Sequence, residues 1–164
     1  MTAEGRSYLS RVVPWDDASF VNIHVQSKKF HGLPGRGFKS IDQALGYSGF
    51  VGSLMDTSGV YVCLSSQVIG EPKQTQAGRD YIKAVRRREN VAALKSLWFD
   101  IDVKPKAYAT TEDAKAALFR VITEAKLPMP TVGVLSGSGG LHIYWTLDRV
   151  LTLDEWQPLA DALA

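Results

Sequence analysis

Leu97-Trp98-Phe99-Asp100-Ile101-Asp102-Val103 reads as a β-strand with apolar residues on both sides of two carboxylates. Side chains alternate along a strand, so Asp100 and Asp102 share a face, roughly 6–7 Å apart along its axis. Phe99, Ile101 and Val103 then face the core. A buried carboxylate needs a partner, and two on one face push each other toward protonation. A divalent cation removes that penalty, and oxygen-only ligands favour Mg²⁺, Mn²⁺ or Ca²⁺ over zinc. The ordinary alternative is a solvated strand end, where the two aspartates pair with Lys104 or Lys106.

Downstream, Pro105 breaks the chain, and Thr110 or Thr111 caps a helix running to about Lys126. Its stripe of Ala114, Ala117, Leu118, Val121, Ile122 and Ala125 has helical spacing and is a packing face. Pro128 and Pro130 close it, and Thr131–Leu135 reads as a strand. A second chemical stretch follows: Ser136-Gly137-Ser138-Gly139-Gly140-Leu141-His142-Ile143-Tyr144-Trp145. Its Gly/Ser run is a turn whose amides can approach an anion closely. In the strand after it, Leu141, Ile143 and Trp145 share one face, His142 and Tyr144 the other. A strand histidine is ordinarily structural, but one beside such a turn can donate to a phosphate oxygen. Thr152 and Glu155 form a capping box for a last helix, and the chain ends inside it without a Gly cap or Pro stop.

Upstream, residues 1–17 read as a loosely ordered lead-in, and Phe20–Val25 as a strand with Asn22 and His24 on one face. Residues 27–39 read as a loop with Lys28, Lys29, Arg36 and Lys39, no acid, and Phe30 and Phe38 interleaved. Two readings stand there: phosphate and base contacts, or a solvated loop whose phenylalanines turn inward. Ser40 caps a short helix over 41–48, and Val60–Leu64 is a strand holding the one cysteine, Cys63, as a buried residue. Ser65, Ser66 and Gln67 at its exit satisfy a turn or meet a ligand. Residues 70–78 read as a loop. Arg79–Lys95 reads as a helix, and over residues 79–88 Arg79, Lys83, Arg86, Arg87 and Arg88 stand against one acid, Asp80. That face is either solvated or in contact with phosphate.

The whole chain has 164 residues, 45% hydrophobic and 22% charged, with a net charge of +2. This is enough for one domain with a core, and too nearly neutral for overall charge to choose a partner. The first 20 residues lack a signal pattern, and no apolar stretch reaches 18 residues, so neither export nor a membrane span is expected. A single cysteine fits a reducing compartment.

The Asp-x-Asp strand, a helix and then the Gly/Ser turn leading to His142 resemble the archaeo-eukaryotic primase superfamily. The likeness is nearest to the primase–polymerase domains of phage and plasmid replication proteins. It spans about residues 20–164 and is concentrated in these two motifs. It implies that Asp100 and Asp102 are metal ligands for Mg²⁺ or Mn²⁺. It also implies that His142, with Ser136, Ser138 and Gly140, binds the triphosphate of an incoming NTP or dNTP. Many members carry Ser where this chain has Gly140. The family's third acidic motif, on a later strand, has no counterpart before Ala164; Asp148, Asp154 and Asp161 fall at a strand exit and in a helix. The resemblance therefore implies a single catalytic domain over 1–164, truncated at its C-terminus and inactive or weakly active alone.

The expected fold is α/β (α+β): a mixed, antiparallel-rich sheet with an RRM-like catalytic core and packed helices, preceded by an N-terminal α/β portion. The expected function is template-directed nucleotidyl transfer, by a DNA primase or primase–polymerase with two ions about 3.5–4 Å apart. Asp100, Asp102 and His142 are its catalytic residues. Lys28, Lys29, Arg36, Arg86 and Arg87 contact a single-stranded DNA template. A fused or associated helicase is a further expected partner, with no membrane partner and a cytoplasmic location in a bacterial or phage-infected cell. Two rival readings are an Asp-x-Asp metal-dependent glycosyltransferase and a non-catalytic module that binds single-stranded nucleic acid.

Overall fold

The computed structural model describes residues 3–28, 32–137 and 139–164. The described residues form an α+β fold of four helices and eight strands. In order these are α1 (Ala3–Val12), β1 (Phe20–Ser27), β2 (Gly35–Phe38), α2 (Ile41–Gly52), β3 (Thr57–Gln67), β4 (Gly70–Gln74), β5 (Asp80–Ala84), β6 (Val91–Ile101), α3 (Thr111–Glu124), β7 (Val132–Leu135), β8 (Leu141–Leu151) and α4 (Leu153–Leu163). A short 3₁₀ turn, Arg88–Asn90, leads into β6. The chain forms two compact units, Met1–Lys95 with Arg149–Ala164, and Ser96–Asp148.

In the first unit the strand order is β4-β5-β2-β1-β3-β6. The pairings of β1 with β2 and β3, of β5 with β2 and β4, and of β3 with β6 are antiparallel. Val21, Ile23 and Val25 of β1 are buried, as are Leu9 and Val12 of α1 and Ala44 and Val51 of α2. Helix α2 starts where Ser40 accepts a hydrogen bond from the Gln43 amide, and it packs against α1 and β1–β3.

Four stretches of this unit differ from the sequence reading. Residues 3–12 are helical, because Leu9, Val12 and Val13 lie at i, i+3 and i+4 and all are buried. Gly35–Phe38 is a strand despite two glycines, because β1 and β5 hydrogen-bond it from both sides. Gly70–Gln74 is also a strand; it lies at the sheet edge, where Pro72 can be tolerated. Arg79–Lys95 is not a helix. Asp80–Ala84 pairs with two neighbours, and Thr75–Arg79 closes the β4–β5 hairpin through Thr75 N to Arg79 O and Gly78 N to Thr75 O, both 2.9 Å. Ladder bonds here override the helix propensity of Lys, Arg and Ala. Cys63 is only half-buried, because β6 covers β3 only over Ser65–Gln67. Those three polar residues are themselves buried within β3.

In the second unit the order is β6-β8-β7, with β7 and β8 antiparallel. Helix α3 begins with a capping box between Thr110 and Asp113, and buries Ala114, Ala117, Leu118 and Ile122, whereas Val121 and Ala125, expected on the same packing face, are exposed. It ends with Leu127 N donating to Ile122 O and Lys126 N to Thr123 O, with Lys126 at φ 53°. This is a Schellman motif with a lysine in the position usually given to glycine. Leu118 and Phe119 of α3 line a shallow apolar groove with Leu141 and Ile143 of β8. No helix is long and apolar enough to cross a membrane among the described residues.

Candidate functional site

The residues singled out at the Asp-x-Asp strand and the Gly/Ser turn all lie in the second unit. Strand β6 ends at Ile101, so Asp100 is on its last turn of pleat and Asp102 is one residue beyond. On the face away from the aspartates, the Phe99 and Trp145 rings meet edge to face, with centroids 5.2 Å apart. The Trp145 indole N–H donates to Pro128 O at 2.8 Å. That packing fixes β6 against β8 and turns Asp100 to the opposite side, where His142 also points. His142 Nε2 lies 3.4 Å from Asp100 Oδ1.

The carboxylates are not buried. Their side chains are 67% and 62% exposed, because they stand at the strand end rather than in its covered middle. Desolvation therefore does not demand a cation here. Asp102 Oδ2 accepts an ion pair from Lys104 Nζ, the pairing expected of a solvated strand end. The two aspartates are thus differentiated: Asp102 is neutralised locally, while Asp100 faces an imidazole.

The turn between β7 and β8 closes on itself. Ser136 N donates to Gly140 O at 2.8 Å and Gly139 N to Ser136 O at 2.9 Å. These two amides are used inside the turn, so neither is aimed at an anion. Gly139 has φ +88°, which an L side chain rarely adopts. Its carbonyl accepts from Thr111 Oγ1 at 3.0 Å, tying the turn to the start of α3. Gly140 is held close to the end of β6: a Cβ there would lie 3.0 Å from Ile101 O and 3.1 Å from Ser136 Oγ. The Ser136 hydroxyl therefore stands beside the place where a residue-140 side chain would begin. Ser138 lies outside the described residues.

Asp100 and Asp102 are hard oxygen donors of the kind that suit Mg²⁺ or Mn²⁺, with water or phosphate completing the shell, and the His142 imidazole lies beside Asp100 only. Among the described residues no group of three or more His, Cys, Asp or Glu side chains comes together to hold an ion. Asp148 lies within β8 rather than at its exit. It is six residues beyond His142, about 20 Å along the strand, and so does not supply a third ligand at Asp100. Asp161 accepts a hydrogen bond from Gln157 Nε2 at 2.7 Å, and Asp154 sits in the first turn of α4.

The basic residues singled out lie in the first unit. Lys28 follows β1, with its amide donating to Asp56 O at 2.9 Å. Arg36 is on β2, Arg86 is exposed after β5, and Arg87 precedes the 3₁₀ turn. Arg36 and Arg86 line one cavity. Lys29 lies outside the described residues. Sequence reasoning missed Tyr47 and Tyr81, which hold Arg36 between them. The only signal for Tyr81 was its place in a basic run, and Tyr47 carried none. Comparison with protein-family models, with curated proteins and with solved structures finds no match to this chain.

Proposed function

We propose that the second unit binds a nucleoside triphosphate with Mg²⁺ or Mn²⁺ for template-directed nucleotidyl transfer of the primase–polymerase type. The observation that carries this reading is the approach of His142 Nε2 to Asp100 Oδ1 at 3.4 Å. The β6-α3-β7-β8 arrangement, with strand order β6-β8-β7 and an antiparallel β7–β8 pair, supports an RRM-like core. Asp100 and Asp102 would hold the cation, whose charge would offset that of the triphosphate and the departing pyrophosphate. His142 donates to a phosphate oxygen in exchange for its long contact with Asp100, and Ser136 Oγ stands close enough to Gly140 to share the phosphate. Lys104, paired with Asp102, would have to release that carboxylate to the cation. The chain's own contribution is positioning and charge neutralisation.

A glycosyltransferase would also use the Asp-x-Asp pair, but it gives His142 no task. A non-catalytic module is favoured by one observation, the Lys104–Asp102 ion pair. Titration calorimetry of ATP in Mn²⁺ separates these readings. Asp100→Asn and His142→Ala should each weaken nucleotide binding at least tenfold, and a sugar nucleotide should bind no better than ATP. Equal affinity in wild type and both variants would refute the reading.

A further inference from the structure

In the first unit an open cavity of about 1070 Å³ lies between strands β1, β2 and β5 and the end of α2. One wall is cationic: Arg36, Lys83 and Arg86 line it, with Asp56 the acid among them. The other wall is apolar, formed by Phe50, Leu54 and Met55. Phe50 is 63% and Met55 99% exposed. Large apolar groups held in water beside cations mark a binding surface more than a packing defect.

Arg36 is the centre of this wall. Its guanidinium carbon lies 4.4 Å from the Tyr81 ring centroid and 5.0 Å from that of Tyr47. Two rings thus hold the planar fork in place, and Phe38 backs Tyr47 at 5.2 Å. Among the described residues no carboxylate pairs with Arg36 or Arg86. Arg36 also stands directly across the β2–β5 ladder from Lys83. Like charges opposite one another destabilise a sheet; Glu71 offsets Lys83 at 3.0 Å, which leaves Arg36 for an anion. A second feature borders the same space. His24 lines the cavity and is more than nine-tenths buried. Its Nδ1 lies 3.0 Å from Leu33 O, a carbonyl that can only accept, so Nδ1 carries the proton. Nε2 is then an acceptor, buried and without a partner among the described residues.

We propose that this cavity binds a nucleotide of a single-stranded nucleic acid, with the phosphodiester on Arg36 and Arg86 and the base against Phe50, Leu54 and Met55. This rests on the template strand that the function proposed above requires, but not on its metal site. A phosphodiester strand brings one negative charge and one flat, largely apolar ring per nucleotide, which matches a planar guanidinium fork beside an aromatic and thioether wall. A carboxylate amphiphile would match one cation and leave the other unanswered.

The test is fluorescence anisotropy of a labelled 20-nucleotide oligo(dT) with the 164-residue chain across a salt series. Arg86→Gln should reduce the salt slope by about 0.7, the value for one phosphate contact on a single strand. Phe50→Ala should weaken binding about 5- to 150-fold through lost base stacking. Arg36→Lys should weaken it tenfold or more with the charge kept, because the fork is gone, while Arg120→Gln on α3 should bind as wild type. Arg86 and Phe50 are exposed, so those variants remain informative even if Arg36→Lys unfolds. Absence of oligo(dT) binding by wild type, wild-type affinity in Arg86→Gln and Phe50→Ala, or displacement of oligo(dT) by decanoate or a polyglutamate peptide would each overturn the proposal. ATP–Mn²⁺ calorimetry on the same variants keeps the two ideas apart. Oligonucleotide binding lost with ATP binding intact supports the cavity. Oligonucleotide binding through the cavity in a wild-type chain that binds no ATP–Mn²⁺ supports it as well, while refuting the metal site.

Discussion

Gly140→Ala tests how closely the β7–β8 turn and the end of β6 are coupled. The added Cβ would sit 3.0 Å from Ile101 O and 3.1 Å from Ser136 Oγ. The serine hydroxyl can rotate aside, but the carbonyl belongs to the backbone and can move only with the strand. Relief requires β6 or the turn to give by a few tenths of an ångström. Overpacking of this kind costs about 1–3 kcal/mol. Gly140 is not at positive φ, so backbone strain adds nothing. In a chain of this size each 1 kcal/mol moves the midpoint about 2–4 °C, so thermal melting should fall by roughly 2–12 °C. Because Ile101 lies between Asp100 and Asp102, the same shift should weaken ATP–Mn²⁺ binding measured by calorimetry. Gly140→Ser carries the same Cβ and should behave alike in melting. A Gly140→Ala chain with wild-type melting and wild-type nucleotide affinity would show that the turn does not press on β6 and that the reasoning is wrong.

Other expectations follow from single contacts. Lys126→Gly should stabilise the protein by about 0.5–1 kcal/mol in urea unfolding, since it relieves a left-handed lysine at the C-terminus of α3; a destabilised variant would contradict the helix end described here. Lys104→Gln should tighten Mn²⁺ binding, because Lys104 competes for Asp102; weaker binding would mean that Lys104 supports the site. Glu155 is held at about 2, below its ordinary 4.5, by the Arg149 guanidinium first and then by the Thr152 amide and hydroxyl. A depressed carboxylate stabilises above its ordinary value, so this cap of α4 should be lost as pH falls from about 4.5 to about 2. Carbon-detected NMR titration should give Glu155 a midpoint near 2, and a higher one in Arg149→Gln; a wild-type midpoint near 4.5 would refute the contact.

What was readable in the sequence had local causes. Ser40, Thr110 and Thr152 cap helices through their own side chains. The stripe of α3 is a period visible in one stretch, as is the alternation that puts His142 opposite Trp145. The strands β2, β4 and β5 were hidden because partners distant in sequence create them: Gly35–Phe38 has no pattern of its own and exists as a strand between β1 and β5. Helix α1 was legible in hindsight from Leu9, Val12 and Val13. The Asp-x-Asp pair was found, and its exposure and the Lys104 pairing matched the solvated-strand-end alternative rather than the buried reading, because sequence alone did not show where β6 ends. The contact between Asp100 and His142 joins residues 42 positions apart and needed the register of β6 and β8.

The most direct test places Mn²⁺ on the protein in solution. Mn²⁺ with ATP broadens nearby NMR signals steeply with distance. The account predicts selective loss of the amide signals of residues 100–103 and of the His142 ring signals at substoichiometric Mn²⁺, abolished by Asp100→Asn. Broadening confined to other acidic residues, or unchanged by that substitution, would contradict a nucleotide–metal site at Asp100, Asp102 and His142.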